Sequence, residues 1–268
     1  MRRLCAPKGD EEGDGEVGHE TVVDAQGRIS LSDGLGNAGQ GGVHARRDGA
    51  GMRRTASDAR RAWSDDEILS AFQQNRLQQT YSYELCTDIE KKVAELLAEG
   101  NVVARFKGNE EFGQRSLGNR AILANPYADG VVQEINELIK NRDFWMPFAS
   151  SILDEDFEKY VQADNKNTPL YMIMTYDTHP AAAEISGGIH PYDKTVRPQL
   201  VNNEDNPEYW RLIKEFKNIT TIGAVLNTSL NLHGLPIVHT PEDAFHVMEN
   251  SELKYLAIGN YLFSKEPR

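Results

Sequence analysis

Residues that could do chemistry are densest in one polar stretch, residues 110–126, which contains Arg115 and Arg120. Gly113 and Gly118 stand on either side of Arg115. Glycine allows a sharp bend or a close approach to a ligand, and the arginine guanidinium binds phosphate or carboxylate through a planar fork of donors. The stretch is therefore either an anion-binding loop that opens a short helix, or a solvated helix with salt-bridged arginines.

Three further cationic side chains, Lys140, Arg142 and Arg197, are candidates for binding an anion. Lys140 and Arg142 follow an apolar pattern with helical spacing and precede an aromatic cluster at residues 144–148. Cations at the C-terminal end of a helix also complement its dipole, so a structural role fits this position equally well. Arg197 falls within a predicted strand, residues 195–201, where an arginine requires an ion-pair partner or an anionic ligand.

A second polar segment follows the predicted buried strand at residues 222–226. Its Asn227, Ser229 and Asn231 carry amides and a hydroxyl that can bind a polar ligand, and the same groups are also typical of turns and caps. His179 and His190 lie eleven residues apart in a loop-like region, which matches no metal-ligand spacing. We therefore predict no metal site in this chain.

The elements predicted around these residues alternate between strands and helices. Capping boxes that begin at Ser64 and Thr87 predict two helices, and residues 101–106 and 170–176 read as strands. A strand pair is predicted at residues 255–263. This alternation predicts an α/β or α+β domain over residues 63–268.

Residues 1–62 differ in composition from the remainder. They contain no Phe, Tyr or Trp, and they hold 12 of the 22 glycines. A segment so poor in large apolar groups cannot offset its ordering entropy by burial. We interpret it as disordered, with at most a short strand near residues 22–31, or as a leader foreign to the natural product.

The composition excludes several classes of protein. A net charge of -12 argues against a broad nucleic-acid-binding face. Two cysteines cannot form a disulfide framework, so we expect a reducing, cytoplasmic location. No apolar run is long enough to cross a bilayer, and no signal peptide is visible. The oligomeric state is not indicated.

Together these segments resemble the C-terminal domain of the nodulation and antibiotic O-carbamoyltransferase family over roughly residues 85–263. The resemblance is carried by GNEEFGQRSLGNRAILANP, IKNRDFWMPFASSIL, DKTVRPQLV, AVLNTSLNLHGLPIVHTPEDA and YLAIGNYLF. It implies a YrdC-like fold, with a mixed twisted sheet and flanking helices. It also implies that the domain binds ATP and carbamoyl phosphate, with Mg²⁺ accompanying ATP, and forms carbamoyl adenylate.

The resemblance assigns roles to individual residues. Arg115, Lys140 and Arg197 are implied to hold phosphate groups during catalysis, and Arg142 to assist in binding the nucleotide. Asn227, Ser229 and Asn231 are implied to hold polar groups of the carbamoyl moiety or the nucleotide. Arg120 is interpreted as a brace.

Two departures from the family pattern leave alternatives open. Met146 stands where the family has an arginine, and a thioether cannot neutralise a phosphate. The family's larger N-terminal domain, which is implied to bind a metal and transfer the carbamoyl group to a hydroxyl, has no counterpart in residues 1–62. The chain is therefore predicted to be an adenylating half that needs a separate N-terminal-type partner domain. The alternatives are a catalytically impaired nucleotide-binding or regulatory module, and a relative of the threonylcarbamoyl-adenylate enzymes of RNA modification.

Overall fold

The computed structural model describes residues 62–265, except 112, 114, 141–147 and 164–167, together with the backbone of residues 21–23 and 29–31. In the N-terminal segment, β1 (Thr21–Val23) pairs antiparallel with β2 (Ile29–Leu31), where the sequence indicated a short strand. The prediction of disorder or a foreign leader for residues 1–62 otherwise lies outside the described residues.

Eight strands of the larger unit form one mixed sheet. They are β3 (Ser82–Leu85), β4 (Val103–Phe106), β5 (Arg120–Ala124), β6 (Ala149–Leu153), β7 (Pro198–Val201), β8 (Ala224–Ser229), β9 (Tyr255–Ile258) and β10 (Tyr261–Ser264). Their order is β3-β10-β9-β4-β5-β8-β6-β7. The β4–β9 and β6–β7 pairs are parallel, and the other five pairs are antiparallel.

Four of the six α-helices in the described residues begin where a side chain caps the backbone. They are α1 (Asp65–Gln74), α2 (Ile89–Ala98), α3 (Val131–Ile135), α4 (Phe157–Tyr160), α5 (Pro207–Thr220) and α6 (Pro241–Glu249), with a π-helical turn at Asn136–Lys140 and 3₁₀ turns at Leu77–Gln79, Asp154–Asp156 and Pro180–Gly188. Ser64 forms the predicted capping box of α1. Asp88, rather than Thr87, caps α2, and its side chain accepts a hydrogen bond from the Lys91 amide. None of the helices in the described part of the chain is long and apolar enough to span a bilayer.

The sheet buries both of its faces. On β5, Ala121 and Leu123 belong to the core cluster that includes residues of α2 and α5, whereas Ile122 and Ala124 belong to the cluster that includes residues of α1 and α6. Side chains alternate between the two faces of a strand, so adjacent residues enter different cores. The predicted α/β class, a mixed sheet with flanking helices, is confirmed.

Two further predictions of secondary structure are wrong. The second half of the arginine stretch forms strand β5, which begins at Arg120, rather than a short helix. The four-residue apolar run at 121–124 fits either element, and the pairing of β5 with β4 on one side and β8 on the other decides it here. Residues 170–175 form no strand, although Tyr176 makes a single bridge to Val196. Met172 has a φ of 53°, which interrupts an extended ladder.

Candidate functional site

The strand register brings several predicted site segments to one edge of the sheet. Ala121 of β5 pairs with Ser229 of β8, and Ala149 of β6 pairs with Asn227 of β8. Parallel pairing of β6 with β7 aligns Ser150 with Pro198. The starts of β5, β6 and β7 therefore lie beside the end of β8. This edge carries the connection that contains Arg115, the residue before β7 and the polar segment of residues 227–231, whose first three residues end β8 instead of following the strand as predicted.

The predicted cations are placed unequally at this edge. Arg115 is exposed on the connection between β4 and β5, and Arg197 is partly buried and directly precedes β7. Lys140 is the last residue of the π-helical turn before β6, and its side chain lies outside the described residues, as do Arg142 and Met146 in full. The structure therefore brings Arg115 and Arg197 to the same edge and leaves the contribution of Lys140 and Arg142 as a prediction.

Buried side chains hold the connection that follows Arg115 through its carbonyl groups. The Asn227 amide Nδ2 donates to the Ser116 carbonyl oxygen at 3.2 Å. The Gln199 amide Nε2 donates to the Leu117 carbonyl oxygen at 2.9 Å, and Arg105 Nη1 donates to the Gly118 carbonyl oxygen at 2.7 Å. Strands β8, β7 and β4 each contribute one of these three donors. The backbone beside Arg115 is thus fixed to three strands.

Asn227 is a buried bracket between strands as well as part of the predicted polar segment. Its side chain is 2% exposed, and its Nδ2 also contacts Ser151 Oγ at 3.1 Å and Gln199 Oε1 at 3.3 Å. Ser151 Oγ in turn donates to Gln199 Oε1 at 2.8 Å. Sequence reasoning missed Gln199 and Ser151. The only sequence signal for them is that polar residues occur in otherwise apolar strands.

Arg120 is a structural brace, in agreement with its interpretation from the sequence. Its guanidinium is fully buried and donates to the carbonyl oxygens of Lys107, Gly108 and Asn119 at 3.0–3.1 Å. It also stacks over the Phe106 ring, with 3.6 Å between Cζ and the ring centroid. Burial lowers the pKa of Arg120 to about 10, because desolvation disfavours its charged form, and nearby Glu111 and Glu110 oppose this shift.

Arg105 forms part of a buried charge cluster behind the same connection. Its Nη2 lies 3.9 Å from Glu90 Oε1, which also accepts a hydrogen bond from Lys107 Nζ at 2.7 Å. Burial lowers the pKa of Arg105, and the Glu90 carboxylate opposes that shift. The cluster joins α2 to β4 and places a guanidinium under Gly118.

Gly118 allows the N-terminal end of α5 to approach the connection. Its φ is 112°, and a Cβ atom at this position would lie 2.4 Å from the Tyr209 ring. Tyr209 is fully buried, and burial raises the pKa of its hydroxyl. In addition, the Asn206 amide Nδ2 donates to Asn119 Oδ1 at 2.9 Å. The glycine is therefore required by a close packing contact as well as by its backbone conformation.

A cavity of 390 Å³ opens beside the end of β8, between Ser229 and Asn231 on one side and Glu110, Glu111 and Gly113 on the other. Ser229 Oγ donates to Asn231 Oδ1 at 2.7 Å, and Asn231 Nδ2 donates to the Leu235 carbonyl oxygen at 2.6 Å. The two predicted polar ligands are thus oriented by each other and by the following turn, next to the connection that carries Arg115.

Within the described residues, no three metal-binding side chains come together. Of the two histidines of the loop-like region, His190 contacts Asp193, with 2.9 Å between Nδ1 and Oδ1.

Comparison with known proteins identifies relatives that are much longer than this chain. An uncharacterized protein of Methanocaldococcus jannaschii is 35% identical over 210 residues, which are 76% of this chain and 33% of that protein. The nodulation protein NolO of Bradyrhizobium diazoefficiens is 35% identical over 67% of this chain and 33% of its own length. A 3'-hydroxymethylcephem-O-carbamoyltransferase of Amycolatopsis lactamdurans is 30% identical over 63% of this chain and 32% of its own length. The chain spans about a third of the length of these relatives.

Among solved structures, full-length HypF in its phosphate- and nucleotide-bound form overlaps 64% of this chain and 25% of its own, with 19% identity and a TM-score of 0.45. A TM-score this low is not sufficient to support a comparison of function. The sequence match is decisive instead, because residues 94–265 match the family model described as "Carbamoyltransferase C-terminus". This range contains every predicted site residue, from Arg115 to Asn231. The chain therefore belongs to the carbamoyltransferase C-terminal family.

Proposed function

We propose that this chain forms carbamoyl adenylate from carbamoyl phosphate and ATP, as the adenylating part of an O-carbamoylation reaction. The observation that carries the proposal is the convergence of Arg115, Arg197, Ser229 and Asn231 at one sheet edge, next to a cavity. Family membership and the O-carbamoyltransferase relative support the same reaction class. We also propose a cytoplasmic location for the protein.

The proposed reaction has two steps. Water cleaves carbamoyl phosphate to carbamate and inorganic phosphate. A carbamate oxygen then attacks the α-phosphorus of ATP, the bond to the bridging oxygen breaks, and pyrophosphate leaves with its electron pair. Negative charge is redistributed over phosphoryl oxygens throughout, so positioned cations can supply most of the catalysis without a covalent nucleophile.

The roles of the residues follow from their positions. Arg115 and Arg197 are proposed to hold phosphate oxygens at the sheet edge, with Lys140 and Arg142 reaching the same phosphates from the segment before β6. Ser229 and Asn231 are proposed to bind the carbamoyl group or the nucleotide. For Asn227, the hydrogen bonds to Ser116, Ser151 and Gln199 favour a role in holding the connection rather than a direct ligand contact.

Transfer of the carbamoyl group to a sugar or natural-product hydroxyl is proposed to require a further domain. The matched part of this chain covers about a third of the length of each relative. ATP is proposed to enter with Mg²⁺ bound to its phosphates, as is usual for nucleotides. This further domain is proposed to bind the acceptor hydroxyl.

The product identifies the reaction. The chain is incubated with ATP, Mg²⁺ and carbamoyl phosphate, and pyrophosphate and carbamoyl adenylate are measured by chromatography and mass spectrometry. A parallel reaction contains threonine and bicarbonate instead of carbamoyl phosphate. The proposal requires product from carbamoyl phosphate; product formed only from threonine and bicarbonate, or tight ATP binding without any pyrophosphate, would refute it in favour of the RNA-modification or binding alternative.

A further inference from the structure

The connection that carries Arg115 is closed by a carboxylate of its own. One oxygen of Glu111, Oε1, accepts hydrogen bonds from the backbone amides of Leu117, Asn119 and Arg120 at 2.8, 2.7 and 3.1 Å. Ser116 Oγ lies 3.4 Å from the same oxygen. Arg115 lies in the sequence between this acceptor and its donors. The contacts therefore close a loop of the chain that contains Arg115.

Such convergence of amides on one anionic oxygen is the geometry of an anion-binding nest. Gly118, with a φ of 112°, lies between the donors Leu117 and Asn119, and its positive φ is a conformation that a residue with a side chain rarely adopts. Hydrogen bonds to a charged acceptor are stronger than neutral ones, so they can set the conformation of a short connection. Here the anion is part of the protein, and the connection is organised without a bound ligand.

The second carboxylate oxygen of Glu111 behaves differently. Oε2 is buried and has no hydrogen-bond partner among the described residues. All amide contacts therefore use one oxygen, which a glutamine side chain would retain. Alanine would remove the acceptor, and aspartate would withdraw it by one methylene. The position thus allows the geometric contribution of the side chain to be separated from its charge.

We propose that Glu111 is the positioning residue of Arg115: by binding the amides of Leu117, Asn119 and Arg120, it holds the Arg115 guanidinium where it meets a phosphate oxygen of carbamoyl phosphate. The inference rests on the proposed function, because it takes Arg115 as a ligand-binding residue. Glu111 acts through the backbone. Its amide-bound oxygen already accepts three hydrogen bonds and is not available to the ligand.

A double-mutant cycle tests this coupling directly. The affinity of the full chain for carbamoyl phosphate is measured by calorimetry for Glu111→Ala and Glu111→Gln, each with Arg115 present and with Arg115→Ala. Glu155→Ala is the matched control, because Glu155 Oε1 also accepts from two partners, Lys214 and Lys217, but follows β6 at the opposite edge of the sheet. Thermal unfolding confirms that each variant folds, and Glu111→Asp replaces the alanine variant if that variant does not.

We expect Glu111→Ala to weaken carbamoyl phosphate binding at least tenfold when Arg115 is present and less than twofold when Arg115 is absent. Glu111→Gln should bind within threefold of the unsubstituted chain, and Glu155→Ala should bind equally well. Equal losses in both Arg115 backgrounds, or a loss in Glu111→Gln as large as in Glu111→Ala, would overturn the positioning role while leaving the proposed function intact. If Arg115→Ala alone binds normally, both the proposed site and this inference are wrong.

Discussion

The Asn227 amide Nδ2 lies 3.2 Å from the carbonyl oxygen of Ser116 and joins the polar segment of β8 to the connection that carries Arg115. These residues are 111 positions apart in the chain. The hydrogen bond physically links two segments that the sequence suggested only as separate candidates. Asn227 is buried, whereas its neighbours Ser229 and Asn231 border a cavity.

Removing this bracket should destabilise the protein and weaken ligand binding together. We expect Asn227→Ala to lower the free energy of unfolding by roughly 2 kcal/mol, because buried partners of the amide would lose their hydrogen bonds. Urea unfolding followed by circular dichroism measures the change. Asn202→Ala, which removes two exposed hydrogen bonds with Asp205, is the control and should cost less than about 0.5 kcal/mol. Equal costs at the two positions would contradict the bracket role.

The two arginines of the polar stretch should respond to substitution in opposite ways. Arg120→Ala should lower the free energy of unfolding by roughly 3 kcal/mol, because it leaves a cavity and unpaired carbonyl groups. Arg115 is exposed, so Arg115→Ala should change that free energy by less than about 0.5 kcal/mol while it weakens carbamoyl phosphate binding at least tenfold. Parallel unfolding and calorimetric titrations measure both effects. A stability loss at Arg115 similar to that at Arg120 would disprove this division of roles.

The two glycines that flank Arg115 offer a comparison at nearly equal φ. Gly113 has a φ of 114° and open space at its Cβ position, whereas Gly118 has a φ of 112° and faces the Tyr209 ring. Gly118→Ala should therefore cost at least about 2 kcal/mol more than Gly113→Ala, because it adds a steric clash to the same backbone strain. Thermal unfolding of the two variants provides the measurement. Similar melting temperatures would show that the ring contact is unimportant.

Tyr209 predicts a specific sensitivity to alkaline pH. Its pKa is raised by burial above the unfolded value of 10.0, so the folded state keeps a proton that the unfolded state releases. The stability contribution is complete below pH 10 and falls as the pH rises towards the folded pKa, by about 1.4 kcal/mol for each pH unit. Tyr209→Phe should remove this decline. Between pH 9 and 11, the free energy of unfolding should fall more steeply for the unsubstituted protein than for Tyr209→Phe. Parallel curves for the two proteins would contradict the prediction.

Much of the fold was predictable because local signals and tertiary packing agree. The capping box at Ser64 gives a helix start that the structure reproduces, and the strand pair at residues 255–263 is present as β9 and β10. Strand β6 was not predicted, because Ser150 and Ser151 interrupt its apolar character although both are fully buried. The opposite error occurred at residues 170–176, where an apolar run is left irregular and Ile173 is 78% exposed.

The candidate site was predicted in its residue types but not in its supports. Arg115 and Asn227 stand in distinctive polar segments, so spacing and composition reveal them. Gln199 and Tyr209 act through contacts between distant strands and helices, which no local pattern specifies. Glu111 was visible beside Arg115, yet its role depends on three backbone amides whose orientation only the folded connection defines.

We propose that the sheet edge with Arg115 catalyses adenylation. This proposal is tested most directly by the rate at which labelled pyrophosphate exchanges into ATP in the presence and absence of carbamoyl phosphate. Arg76→Ala, which removes an exposed arginine between α1 and β3, serves as the matched control. We predict exchange that depends on carbamoyl phosphate, persists in Arg76→Ala and falls at least a hundredfold in Arg115→Ala. Absence of exchange in the folded, unsubstituted chain, or full exchange in Arg115→Ala, would contradict the account.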